Sequence, residues 1–189
     1  PLLAKYHQLH GESLVELCSS ESLMDLGRAG LDMAIRFGVP GKGVPLAQGA
    51  TELVRRKIGL VPIGLFASRS YLNERGTPAS EEELLDHRFV MPSPSARYIP
   101  GYRWCYETIG AGAMVSMYTD KIVTCAEAAV AGMGITLLPT FFDEHYELEP
   151  VLLTRELSRK ERECVLGVLD DPLYKLPVEG AAVTPTRVS

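Results

Sequence analysis

With 189 residues, 46% of them hydrophobic, the chain has material for one large domain or two small lobes around a packed core. Its formal net charge of −5 argues against a nucleic-acid-binding module, because phosphate recognition needs a basic face. Cys18, Cys105, Cys125 and Cys164 are widely spaced, with no C-x-x-C pair, which argues against a disulfide framework or a zinc site and for reduced thiols.

At the N-terminus, Leu2, Leu3, Tyr6 and Leu9 recur at helical spacing and Gly11 supplies a stop. No cap precedes residue 1, so the helix is expected to start upstream. PLLAKYHQLHGE carries no leader pattern, and apolar runs such as LVPIGLF fall far short of a bilayer span. A soluble, cytoplasmic protein is expected. His7 and His10 share a helix face but have no third ligand at metal-binding spacing.

Leu14 to Cys18 read as a short strand. The stretch CSSES follows, with Ser20 or Ser22 as an N-cap, then Leu23, Met24 and Leu26 on an apolar helix face and Gly30 as a left-handed closing residue. Leu31 to Phe37 form the next strand, which completes a strand–helix–strand unit with parallel strands and a right-handed crossover. Asp25 reads as a solvated carboxylate. Arg36, at the end of an apolar strand, suits either a ligand carboxylate or a structural acid.

Gly38 to Gly43 read as a loop, and Thr51 to Ala67 as extended structure broken at Gly59 and Pro62, a place for the chain to cross between lobes. Ser80 and Glu83 form a capping box for a short helix through Leu85. Phe89 to Met91 read as a strand and residues 92–102 as a Pro-, Ser- and Gly-rich loop. Trp104, between Tyr102 and Tyr106, is expected to pack beneath it.

The second half repeats the first. Ala113 to Tyr118 form a strand, Thr119-Asp120 a cap, Ile122 to Ala131 a helix closed by Gly132, and Ile135 to Leu138 a buried strand ended by Pro139. Two such units predict two α/β lobes with a cleft between them. Ligands of open α/β sheets gather at the carboxyl ends of strands. The junctions CSSES and YTD lie there and at helix N-termini, where free amides favour an anion or a polar oxygen. No G-x-S-x-G elbow, complete G-x-G-x-x-G or Walker A run is present. The residues nominate no catalytic set, no metal site and no cofactor.

SESLMDLGRAGLDMAIRFG, LFASRSYLNERGTP with EELLDHRFV, and YTD with AEAAVAGMGITLLP stand in an order and spacing that resemble the effector-binding domain of LysR-type transcriptional regulators. D-x-A-I-R, A-S-x-x-Y-L and A-G-x-G-I-x-L-L-P in series make the resemblance specific, over residues 1 to about 170. It implies a two-lobed, periplasmic-binding-protein-like (type 2) α/β fold with a central cleft and two crossing strands. Lobe I would hold residues 1–60 and 150–189, without its first strand, and lobe II residues 61–149.

It further implies a small organic effector contacted by Ser19, Ser20 and Ser22, by Arg36 and Phe37, by Ala67 and Ser68, and by Tyr118, Thr119 and Asp120, and Arg36 with the helix N-termini leans toward an anion. The partners implied are a second copy, as homodimer or homotetramer, and promoter DNA reached through a separate N-terminal helix-turn-helix domain. KLPVEGAAVTPTRVS departs from the amphipathic helix that usually closes such domains. WCYETIGAG resembles the surroundings of one redox cysteine in peroxide-sensing members, but SARYIPGYRW upstream lacks the partner cysteine. The alternatives are a free-standing solute-binding protein and an enzyme of the same two-lobed fold, such as a deaminase acting on a tetrapyrrole precursor.

Overall fold

The computed structural model describes residues 2–12, 14–20, 24–38, 54–98, 100–109, 112–142, 145–152, 163–170 and 186–187. Helix α1 (Leu2–Leu9) forms as the periodicity predicts. The stretch expected as the first strand has no ladder partner among the described residues. Residues 14–20 accordingly run exposed and without regular structure.

Helix α2 (Leu26–Ala29) corrects the expected cap. Asp25, not Ser20, closes its N-terminus, its Oδ1 accepting from the amides of Gly27 at 3.1 Å and Arg28 at 3.4 Å. Aspartate is as good an N-cap as serine, and Ser22 lies outside the described residues. Gly30 closes the helix at φ +65°, as predicted. Strand β1 (Met33–Gly38) follows, but it pairs antiparallel with β7 (Glu163–Asp170). The first parallel unit is therefore not formed among the described residues.

Strand β2 (Val54–Ala67) is continuous where a break was expected. Gly59 falls at a register shift, where one extra residue is absorbed as a bulge. Pro62 is the last residue paired with β7, and pairing with β5 (Thr136–Pro139) begins at Ile63. A residue without an N–H thus sits where the ladder changes partner, a place that tolerates proline. Beyond that point β2 also pairs with β6 (Glu149–Val151), and near its start with β8 (Thr186–Arg187).

Helix α3 (Arg69–Arg75) is capped by Ser68, and α4 (Glu81–Leu84) by Ser80, whose Oγ accepts from the Glu83 amide; Glu83 accepts in turn from the Ala79 amide at 2.8 Å. Strand β3 (Arg88–Pro92) ends in a stretch predicted as loop but built of helical turns: a 3₁₀ turn (Pro94–Tyr98), α5 (Pro100–Trp104) and a π-helical turn (Cys105–Ile109). Pro94 and Pro100 each open a turn, where a fixed φ and a missing N–H cost nothing.

Strand β4 (Met114–Thr119) and α6 (Ile122–Val130) match the prediction, as does β5. Strands β3 and β4 are parallel, and Ile135 bridges Phe89 in the same sense. The strand–helix–strand unit β4–α6–β5 therefore brackets β3 rather than pairing its own two strands.

Alternation along these strands loads both faces of the sheet. Ile63, Leu65, Phe89, Met91, Ile135 and Leu137 meet Tyr71, Leu84, Trp104 and Ile109 from α3, α4, α5 and the π turn. Phe66, Val90 and Leu138 meet Cys125, Ala126 and Ala129 of α6 on the other face. A sheet buried on both sides is the expected habit of parallel α/β structure. Among the described residues, no helix is long and apolar enough to cross a membrane.

Under this sheet lies one buried histidine. The Tyr71 hydroxyl accepts from the Arg88 amide at 2.9 Å, which leaves its proton for His87 Nδ1 at 3.2 Å. Burial holds the His87 pKa below its ordinary 6.5. As pH falls through that value the unfolded chain takes up the proton first, so the stability present at neutral pH is lost on acidification. Melting points between pH 7.5 and 5.5 should fall, and His87→Asn, whose amide oxygen still accepts from Tyr71, should flatten the slope.

Candidate functional site

The carboxyl ends of β3 and β4 converge on a small pocket lined by Pro92, Ser93, Ser95, Ala96, Tyr102, Thr119, Asp120 and Ile122. The two strand ends are tied together here, the Ser93 amide donating to the Thr119 carbonyl at 2.7 Å. Ser95 Oγ donates to Ser93 Oγ at 3.1 Å, so the wall presents paired hydroxyls. This is the location that strand direction dictates for a ligand in a parallel sheet.

Helix α6 begins at the pocket floor. Its N-cap is Lys121, which offers no side-chain cap, and Thr119 Oγ1 accepts from the Lys121 amide at 3.2 Å. The expected Thr119-Asp120 cap is thus displaced by one residue, and the first-turn amides of α6 have no side chain capping them. The Asp120 carboxylate lies 3.9 Å from Lys121 Nζ, both side chains well exposed, so water screens the pair.

Of the nominated residues that the structure describes, Thr119 and Asp120 line this pocket and the others do not, while Ser22 lies outside the described residues. Tyr118 alternates to the outside of β4 and is exposed. Ser19 and Ser20 lie on the exposed 14–20 segment. Ala67 is fully buried in the core, and Ser68 is a buried cap whose Oγ accepts from the Tyr71 amide.

Arg36 and Phe37, as neighbours on a strand, face opposite ways. Phe37 packs against the buried cluster that contains Tyr102. Arg36 Nη2 donates to the Met24 carbonyl at 2.5 Å, and its buried Nη1 has no hydrogen-bond partner among the described residues. Among the described residues the arginine thus engages a backbone carbonyl, and the structural acid that the sequence offered beside a ligand carboxylate is not found there.

Ser93, Ser95 and Tyr102 were missed. The signal was present, since PSPS follows directly on an apolar strand, but its prolines read as loop. Cys105 is buried, and burial pushes its thiol well above the ordinary value. A thiol so held is a poor nucleophile.

The model of the family described as LysR substrate binding domain matches residues 1–167. The chain belongs to this family. The regulatory domain of CrgA, a LysR-type transcriptional regulator from Neisseria meningitidis, superposes with a TM-score of 0.68 at 20% identity, covering 91% of this chain and 81% of that one. The effector domain of AmpR of Pseudomonas aeruginosa gives 0.60 at 19% identity, with 94% and 80% covered. These LysR domains share the two-lobed, periplasmic-binding-protein-like fold, which is therefore the fold of this chain.

Among curated relatives, the HTH-type regulator YhjC of Escherichia coli K12 is 26% identical over 85% of this chain and 58% of its own length. An HTH-type regulator of Haemophilus influenzae is 26% identical over 74% and 44%. This LysR domain thus spans less than two thirds of the curated relatives it matches.

Proposed function

We propose that this chain is the ligand-sensing and oligomerising part of a cytoplasmic LysR-type transcriptional regulator, not an enzyme. It binds a small organic effector in the cleft between lobe I (residues 1–60 and 150–189) and lobe II (residues 61–149). Promoter DNA is reached through a separate N-terminal domain, and effector binding acts by shifting the balance between arrangements of a homodimer or homotetramer. The observation that carries this reading is the hydroxyl-lined pocket at the carboxyl ends of β3 and β4, in a chain of this family.

The polarity of the site favours an anionic effector. The first-turn amides of α6 present partial positive charge to the pocket, and Arg36 is the cation nominated from the facing lobe. In this reading Thr119, Asp120, Ser93, Ser95 and Tyr102 form one wall. Ser19, Ser20, Ser22, Arg36 and Phe37 belong to the facing lobe, and Ala67, Ser68 and Tyr118 complete the nominated set. Association is supported by two exposed apolar helix faces: Leu3, Tyr6 and Leu9 on α1, and Val123 and Val130 on α6.

A melting screen against small metabolites weighted to carboxylates tests the reading. A ligand at about 100 times its Kd adds roughly 2.7 kcal/mol, a rise of about 5–10 °C for a domain of this size. Thr119→Val and Ser20→Ala should each weaken the hit about three- to tenfold, the loss of one hydrogen bond. A hit whose affinity both variants leave unchanged would place the effector elsewhere, and a hit that is consumed would make the protein an enzyme.

A further inference from the structure

Half of the pocket's lining, Pro92, Ser93, Ser95 and Ala96, comes from one short stretch where β3 passes into the 3₁₀ turn. Within itself this wall is held by the Ala96 amide donating to the Ser93 carbonyl at 2.9 Å and by the Ser95–Ser93 hydroxyl pair. Both of its ends are gripped from outside by one side chain. The Tyr106 hydroxyl donates to the carbonyl of Pro92, and the Arg97 guanidinium lies over the Tyr106 ring, 4.4 Å from its centroid.

Tyr106 does not line the pocket. It projects from the π-helical turn, a rare geometry that collects at functional sites. Cys105 and Ile109 of that turn are each 1% exposed, which fixes the turn from beneath. Four residues earlier on the same helical run, Tyr102 reaches the pocket itself. The two tyrosines therefore divide the work, one forming the surface and the other holding the surface opposite.

We propose that Tyr106 is a positioning residue of the effector pocket, setting the shape of the 92–97 wall through its hydroxyl on Pro92 and its ring beneath Arg97. The proposal rests on the effector reading of the pocket. Burial pushes the Tyr106 pKa up to about 12, so the hydroxyl stays a donor throughout the physiological range. Any molecule seated between Ser95 and Thr119 presses on a wall whose give is set by this clamp. Pocket shape is then adjustable by a residue that no ligand touches.

Amide hydrogen exchange on the unliganded chain tests this without needing the effector. Tyr106→Phe keeps the ring beneath Arg97 and removes only the donor. Exchange at the Ser93 and Ala96 amides should rise about tenfold, while amides of α6 and β5 keep their protection. Arg97→Gln, at an exposed position, should raise exchange at Ala96 by a smaller factor with no change in melting point. Unchanged exchange at Ser93 and Ala96 would overturn the proposal. So would a uniform rise across the sheet, which is what a merely structural tyrosine predicts. Neither result bears on whether the pocket takes an effector, which the melting screen decides separately.

Discussion

Gly134→Ala is expected to lower stability by about 3–5 kcal/mol, a fall in melting point of roughly 6–20 °C. Gly134 sits at φ +150°, and a Cβ there would lie 2.4 Å from the Arg88 carbonyl oxygen and 2.7 Å from its carbon. Both atoms are backbone, so no side chain can swing aside. The methyl would drive Ile135 from β3 and stretch two bonds that join the strands, Ile135 N–H to the Arg88 carbonyl at 2.8 Å and Val90 N–H to the Ile135 carbonyl at 2.9 Å. Gly76 supplies the control. Its φ is +86° and ψ +165°, but nothing lies within 4 Å of a Cβ there, so Gly76→Ala carries backbone strain alone, about 1–3 kcal/mol. Equal melting points for the two variants would mean that the close approach to Arg88 is relieved at no cost.

Phe89→Ala should cost about 3–5 kcal/mol, as buried phenylalanine truncations do. Phe89 is fully buried on β3, between Val115 of β4 and Ile135, and its ring fills the cluster shared with Leu84, Trp104 and Ile109. Phe89→Leu, which keeps most of the volume, should cost about 1.5 kcal/mol or less. Urea midpoints at constant m-value are the measurement. A Phe89→Ala midpoint close to wild type would show that the site collapses around the missing ring. Because a Cβ at Gly134 would stand 3.1 Å from the Phe89 amide nitrogen, the two losses should not add in the double variant.

The parts legible in the sequence are those specified locally. Helix α6 has an apolar stripe, a glycine just past its end and a strand stopped by Pro139, and each of these signals is read within a few residues. Capping chemistry was legible at Ser80 but not at α2, where Ser20 or Ser22 was expected as the cap and Asp25, read as a solvated carboxylate, takes that place. Strand pairing was not legible. The antiparallel partner of β1 lies at residues 163–170, and nothing in MAIRFG names it. The pocket was half legible: Thr119-Asp120 announces a strand-to-helix junction, whereas Ser93 and Ser95 stand among prolines that read as loop but open helical turns. Facing direction was lost as well, since a list of adjacent residues such as Arg36-Phe37 conceals that a strand turns them apart.

The change of partner along β2 has a consequence for synthesis on the ribosome. Its C-terminal half pairs with Thr136–Pro139, but its N-terminal half waits for Glu163–Asp170. At about 5–20 residues per second, a delay of about 100 residues is roughly 5–20 s. The later half of β2 can thus be claimed by β5 while the earlier half still has an open edge. Nascent chains halted once residue 152 has cleared the exit tunnel, but residue 163 has not, should therefore protect the β2–β5 ladder and leave Val54 to Leu60 open to protease. The same halted chains are where aggregation through that open edge should begin.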